Sequence, residues 1–151
     1  MYLSIIILPF LSFLSCFFFG RFIGTLGACI VSTSAIILSA FIAVFMVYET
    51  AICGSACHFI VTSWINSELL SVKWGFCFDG LTSVILLVVC GISALVHLYS
   101  ISYMSGDPHH IRFMSYLSLF TGFMLFLVAG DNLIVMFFGW EGIGLASFLL
   151  I

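Results

Sequence analysis

One carboxylate, Glu141, lies in the middle of an apolar run, FFGWEGIGLASFLLI, at residues 137–151. The stretch 132–151 is long enough for a membrane-spanning helix and would place Glu141 near the bilayer midplane. A charge at that depth costs roughly 2.5 kcal/mol or more, and such residues usually face a bundle interior on an ion or proton path. Glu141 is therefore the first candidate for proton-translocation chemistry. A structural glutamate that only hydrogen-bonds another helix is the alternative.

The residues around Glu141 predict a close helix–helix contact. Gly139, Gly142 and Gly144 crowd the segment, and Gly142 and Ala146 have the small-residue spacing that lets another helix approach closely. A buried glutamate needs a cation, but the chain's 3 Lys and Arg residues all lie in predicted links. Because the sequence stops directly after this run, we expect the glycines to pack against a helix of another chain or of a missing remainder, which also carries the cation.

Other ionisable residues lie in or beside the apolar runs. His97 falls within a run, where a proton relay and a structural hydrogen bond are equally good interpretations; haem ligation would need a second intramembrane histidine. Asp79 and Asp131 precede predicted helices, where capping is the favoured interpretation. Arg112, at the start of another helix, is expected to anchor it at the membrane interface.

Two of the six cysteines lie close together in the sequence, in the cluster Cys53-x3-Cys57-His58. It lacks a second ligand pair at zinc-finger spacing, so a metal site is the least favoured interpretation. Unpaired thiols are favoured over a loop disulfide. The pair His109 and His110 is better explained by a tight turn than by metal ligation. No phosphate loop, nucleotide fingerprint or catalytic triad appears. We therefore predict no metal and no cofactor in this chain.

The composition predicts an integral membrane protein. Hydrophobic residues make up 64% of the 151, charged residues 6%, and the mean hydropathy is +1.39. A soluble domain usually has about 25% charged residues, so this chain could not cover a water-facing surface. No basic patch is present, which excludes nucleic-acid binding as an electrostatic possibility.

The apolar runs predict an all-α membrane fold in a single domain, 1–151. A helix must span a hydrocarbon core of about 30 Å, which takes roughly 20 residues. The remaining link, 49–79, is β-branched and aromatic in part, so an interfacial β-hairpin is favoured over a short helix. The five predicted membrane helices cover about residues 3–19, 26–48, 80–104, 113–130 and 132–151.

The positive charges predict an orientation. Arg21 and Arg112 lie in links that five crossings would place on the same side, whereas Lys73 shares the 49–79 link with several acids. The positive-inside rule therefore puts both arginines on the cytoplasmic or matrix side. The N-terminus is expected on the opposite side.

Three stretches resemble the distal antiporter-like (chain 5) subunits of NADH:ubiquinone oxidoreductase, respiratory complex I. They are FFGRFIGTLGA, FDGLTSVILLVVCGISALVHLYSISYM and RFMSYLSLFTGFMLFLVAGDNLIVMFFGWEGIGLASFLLI. The resemblance covers nearly the whole chain but only the first part of the family subunit. Subunits of multi-subunit cation/proton antiporters share the GWEG stretch and are one alternative; a structural or assembly fragment is another.

The resemblance implies a proton-translocating membrane subunit of an NADH:ubiquinone reductase. Glu141 matches the family glutamate that pairs with a lysine on a later helix, and the segment around His97 favours a proton-path role over haem. NAD, FMN, iron–sulfur clusters and ubiquinone are then expected in other subunits. The implied partners are the remainder of the subunit as a separate chain, other complex I membrane subunits and lipids. The implied location is the mitochondrial inner membrane, with the N-terminus towards the intermembrane space, or else a bacterial plasma membrane.

Overall fold

Four long helices and one β-hairpin make up the computed structural model, which describes residues 1–151. Each of the four helices is long and apolar enough to cross a membrane. In chain order the elements are α1 (Tyr2–Val47), a π-helical turn (Tyr48–Ile52), β1 (Cys57–Asn66), β2 (Ser71–Phe78), α2 (Gly80–Tyr103), α3 (His110–Ala129) and α4 (Leu133–Leu150).

Helix α1 reverses direction at Gly24. This residue has φ 77° and ψ 174°, a conformation that a residue with a Cβ rarely adopts. The first arm, 2–23, and the second arm, 25–47, fold back along each other, so that the Cys16 Sγ lies 3.6 Å from the Ala28 carbonyl oxygen. The element therefore supplies two membrane-length arms instead of one.

The far ends of the two arms also meet. The Tyr2 hydroxyl donates a hydrogen bond of 2.6 Å to the Glu49 carboxylate, although the two residues are 47 positions apart in the sequence. With α2, α3 and α4, the two arms give five membrane-length helical segments. The predicted all-α membrane fold is thus confirmed. The one difference is that the first two predicted helices are joined through Gly24 in a single element.

The link between α1 and α2 forms the predicted β-hairpin. Strands β1 and β2 pair antiparallel, with His58 opposite Cys77 and two irregularities in the register. β1 is almost wholly exposed, whereas β2 buries four of its residues, including Phe76 and Phe78. The prediction of a hairpin over a short helix is therefore confirmed.

The helices and the hairpin share one apolar core. Ile5 and Met46 of the two α1 arms, Phe78 of β2 and Leu86 of α2 are fully buried in it. Gly20 of the first arm meets Ile111 at the start of α3, so the neighbouring Arg21 and Arg112 lie at the same end of the bundle. The hairpin packs on the opposite end of the bundle, because one membrane-length segment separates Arg21 from the 49–79 link. Helix α4 lies at the edge of the bundle, against α3 and β2.

Candidate functional site

Helix α4 has a glycine face that packs tightly on α3. A Cβ built on Gly139 would lie 2.8 Å from the Leu127 Cα, and one on Gly142 would overlap the Phe123 ring. Ala146, one turn further on, is fully buried. The small-residue spacing therefore correctly predicted a close contact. The expectation that its partner lies outside this chain was wrong for Gly139 and Gly142, because both pack on α3.

Glu141 lies on a different face of α4 and is exposed. It is the ninth residue of the 18-residue helix, about 12 Å from the helix start at 1.5 Å per residue. Its neighbours one turn away, Phe137 and Leu145, are also exposed, and a Cβ on Gly144 would meet nothing within 4 Å. This open face could accept another helix directly over the carboxylate.

The carboxylate of Glu141 has no partner within the chain. It makes no side-chain hydrogen bond, and the one ion pair in the structure joins His58 to Asp131. Arg21 and Arg112 are exposed at the end of the bundle opposite the hairpin. No Lys or Arg of this chain forms an ion pair with Glu141.

His97 is completely buried between helices. Its Nδ1 lies 2.8 Å from the Ser93 carbonyl oxygen, which can only accept, so Nδ1 carries the proton. Nε2 is then an acceptor, and the Ser118 hydroxyl of α3 lies 3.3 Å from it, with the Met114 carbonyl oxygen as the other acceptor for the same hydroxyl proton, at 3.1 Å. The ring therefore bridges α2 and α3.

The hydrogen bonds extend beyond His97 in both directions. On one side, the Ser118 hydroxyl lies 3.3 Å from the Ser12 hydroxyl of the first α1 arm. On the other side, the Ser93 hydroxyl lies 2.6 Å from the Thr121 hydroxyl, which donates to the Leu117 carbonyl oxygen. The sequence analysis missed these hydroxyls, although Ser93 is one turn before His97 and Ser118 and Thr121 share one face of α3. A polar network thus crosses three helices within the apolar bundle.

Comparison with known proteins shows what this chain is similar to. A family model described as "NADH-Ubiquinone oxidoreductase (complex I), chain 5 N-terminus" matches residues 64–114. Proteins named NADH-ubiquinone oxidoreductase chain 5 are 55% identical in Marchantia polymorpha, 54% in Arabidopsis thaliana and 52% in Rhizopus stolonifer. Each match covers all 151 residues of this chain. Over its 151 residues the chain is similar in sequence to part of NADH-ubiquinone oxidoreductase chain 5, and the family model that it matches describes the N-terminus of that protein.

The similarity to chain 5 extends across every element described above. The family-model match runs from the end of β1 through β2 and α2 into α3, and it includes His97. Glu141 and α4 lie beyond that match but within the full-length similarity to the chain 5 relatives. The chain spans 23% of the length of these three relatives. The resemblance seen in the sequence is thereby confirmed.

The two aspartates that flank predicted helices, Asp79 and Asp131, have different roles. Asp79 caps α2 as predicted: the Thr82 backbone amide donates 2.7 Å to its carboxylate and lowers the pKa of that carboxyl below its ordinary value of 3.8. The cap predicted for Asp131 was wrong. Asn132 caps α4 instead, by accepting from the Val135 backbone amide at 2.9 Å.

Asp131 instead faces the β-hairpin. Its carboxylate lies 3.6 Å from the His58 Nδ1, and the His58 Nε2 lies 3.7 Å from the Cys77 Sγ. Burial, together with the charges of Asp79 and Asp131, raises the pKa of the Cys77 thiol above its ordinary value of 9.0. The sequence cluster around His58 pointed to Cys53 and Cys57, but the cross-strand partner of His58 is Cys77.

Proposed function

We propose that this chain is the N-terminal part of a proton-translocating membrane subunit of NADH:ubiquinone oxidoreductase in the mitochondrial inner membrane. Glu141 would form half of an ion pair, with a lysine on a helix outside this chain. The observation that carries the proposal is the unpartnered Glu141 on an open face of α4, in a chain similar throughout to chain 5. We further propose the matrix side for Arg21 and Arg112, which places the N-terminus towards the intermembrane space.

The two faces of α4 support this assignment of Glu141. The glycine face already satisfies the packing of α4 on α3, so the exposed Glu141 face is left for a second neighbour. A carboxylate at this depth is expensive unless a cation or donor covers it. Gly144, one turn away, has open space around it and would let a helix approach closely. A lysine on that helix could then reach the carboxylate.

The proposed ion pair also explains how protons could be moved. A nearby carboxylate favours the protonated form of a lysine, so separating the pair favours release of the lysine proton, and restoring it favours uptake. Glu141 on this model keeps its charge and acts by biasing its partner. Helix α4 is well suited to this role because its contact with α3 fixes the position of Glu141.

His97 is proposed as a proton relay within the same subunit. The hydroxyls of Ser12 and Ser118 lead to its Nε2, and the Ser93 hydroxyl, which leads on to Thr121, lies 3.3 Å from its Nδ1. The proton would leave through this hydroxyl, because the Ser93 carbonyl oxygen bonded to Nδ1–H can only accept. A proton that arrives on Nε2 can leave from Nδ1, provided that the hydroxyls rotate to reset the direction of the hydrogen bonds. The network thus offers a path segment, which a histidine tied by one hydrogen bond would not.

The redox chemistry is proposed to lie in other subunits of the complex, which would hold NAD, FMN, the iron–sulfur clusters and ubiquinone. This chain offers no phosphate-binding loop. Its six cysteines are free, and no four of them converge as an iron–sulfur cluster would require. The proposed partners are the remainder of the subunit, the other membrane subunits and lipids.

The proposal is tested with Glu141→Gln in the assembled complex, reconstituted into sealed vesicles. We expect NADH oxidation to continue while the number of protons pumped per NADH falls, because the amide cannot hold a lysine by charge. Glu141→Asp, which retains the charge, should restore part of the pumping. The matched control is Glu68→Gln in the exposed hairpin turn, which should pump normally.

Two results would contradict the proposal. If Glu141→Gln assembles and pumps as the unaltered complex does, Glu141 only fastens a helix, as in the structural interpretation. If the chain co-purifies with a cation/proton antiporter that lacks NADH-oxidising subunits, the proposed complex is wrong.

A further inference from the structure

Three metal-ligating side chains from distant parts of the sequence converge at the hairpin end of the bundle. His58 lies on β1, Cys77 on β2, and Asp131 between α3 and α4. One nitrogen of His58, the Cys77 sulfur and one Asp131 oxygen all lie within 4.8 Å of one another. No other three His, Cys, Asp or Glu residues of the chain are grouped in this way.

We propose that these three residues bind a divalent zinc ion, with a fourth position open to water. Nitrogen, thiolate and carboxylate ligands are the set that zinc prefers, at about 2.0–2.3 Å from the ion. Those bond lengths imply about 3.3–3.6 Å between ligand atoms around a tetrahedral ion. The separations of 3.6 Å and 3.7 Å from His58 to Asp131 and Cys77 are close to this range.

The side chains are free to complete the geometry. His58 currently points Nδ1 at Asp131 and Nε2 at Cys77, so its ring must turn to bring one nitrogen towards both. The His58 side chain is 62% exposed and the Asp131 side chain is 39% exposed, so both can rotate without displacing buried side chains. On binding, the Cys77 thiol would release its proton to water and coordinate as the thiolate.

The backbone beneath the three ligands is fixed independently of any ion. His58 and Cys77 are directly paired across the hairpin. The Asp131 backbone amide donates 3.1 Å to the Gly75 carbonyl oxygen, and the Asn132 side-chain amide donates 2.8 Å to the Lys73 carbonyl oxygen. The zinc ion would therefore add a cross-link between the hairpin and the start of α4, the helix that carries Glu141 at its middle. This proposal does not depend on the proposed function of Glu141.

The experiment is a titration of the purified chain in detergent micelles, after treatment with a chelator, with Zn²⁺ followed by calorimetry. We expect one saturable site per chain, and at least tenfold weaker binding in Cys77→Ser and in Asp131→Asn. The matched control is Cys57→Ser, which removes a thiol next to His58 on the same strand and should leave the affinity unchanged. Co²⁺ in place of Zn²⁺ should give a thiolate-to-cobalt absorption band that Cys77→Ser abolishes.

Three outcomes would overturn the zinc site: absence of saturable Zn²⁺ binding, a Cys57→Ser variant that loses as much affinity as Cys77→Ser, or a cobalt band that persists without Cys77. Circular dichroism of each variant, together with the coupled Trp64 and Trp74 rings at 4.7 Å, reports whether the hairpin is still formed. Asp131→Asn retains the backbone bond to Gly75, so it tests ligation even if Cys77→Ser disturbs the strand.

Discussion

Replacing Gly139 by alanine should push α4 away from α3. The added Cβ would lie 2.8 Å from the Leu127 Cα and 2.9 Å from the Leu127 backbone nitrogen. Carbon atoms pack best at about 3.5–4.0 Å, so the shortfall is about 1 Å. Because the obstructing atoms belong to the backbone, no side-chain rotation can relieve the clash, and the helices must separate.

The size of the effect follows from a comparison with Gly144→Ala on the same helix. Both substitutions gain about 1 kcal/mol from the better helix propensity of alanine. Only the Gly139 variant incurs the cost of overpacking, which is typically about 1–3 kcal/mol, because a Cβ on Gly144 meets nothing within 4 Å. The propensity gain cancels in the difference, so Gly139→Ala should be less stable than Gly144→Ala by about 1–3 kcal/mol.

The assay is unfolding of the purified chain in mixed micelles by increasing SDS, followed by tryptophan fluorescence. Trp74 suits this purpose because its ring packs edge-on against Phe126 of α3 at 5.5 Å and Phe138 of α4 at 5.3 Å. Its emission should therefore change when α3 and α4 separate. If the Gly139 variant unfolds at the same SDS fraction as the Gly144 variant, or at a higher one, the close contact between α3 and α4 is refuted.

Two further predictions concern the buried network and a helix cap. Ser118→Ala should destabilise the chain by about 1 kcal/mol more than Ser115→Ala, because only Ser118 bonds a side chain on another helix, His97. In the assembled complex it should also slow proton pumping if His97 relays protons, whereas normal pumping would assign His97 a structural role only. Asp79→Ala should cost about 0.5–2 kcal/mol at neutral pH, since it removes the cap at Thr82. The pKa of Asp79 is lowered in the folded chain, so this stabilisation is present above the ordinary value of 3.8 and is lost as pH falls through the lowered pKa. The unfolding midpoints of the unaltered chain and Asp79→Ala should therefore differ at about pH 6 and approach each other as the pH is lowered through the lowered pKa of Asp79. A difference that does not shrink in acid would contradict the assignment.

Local sequence signals were sufficient to predict the membrane-length helices and the hairpin. Each apolar run has to form a helix in lipid, since unpaired backbone groups there are costly, so length and composition determine the element. The β-branched and aromatic link between α1 and α2 had equally local signals. What the runs did not reveal was the joining of the first two helices. That depends on the backbone conformation of one residue, Gly24, which is as compatible with a loop as with a sharp turn.

The candidate site was less predictable, because it depends on which helix faces which. The spacing of the small residues identified the glycine face of α4. The local sequence of a helix does not show which helix packs against it, so the contact with α3 was not predicted. His97 stood out as an ionisable residue in an apolar run. Ser118 did not, because serine is common in helices and becomes informative only when packing places it 3.3 Å from the ring. Asp131 lost its cap role to Asn132, since either residue could accept the amide of the first turn.

The reversal at Gly24 has a consequence for how this chain enters a membrane. Between Tyr2 and Tyr48, the only formally charged side chain is Arg21, three residues before the turn. The two arms of α1 thus form one apolar helical hairpin, whose single charged side chain lies beside its turn. Such a hairpin can partition into the bilayer in one step, leaving Arg21 on the side from which it was inserted. The paired arms then offer α2 and α3 a surface to pack against, whereas α4 packs on α3.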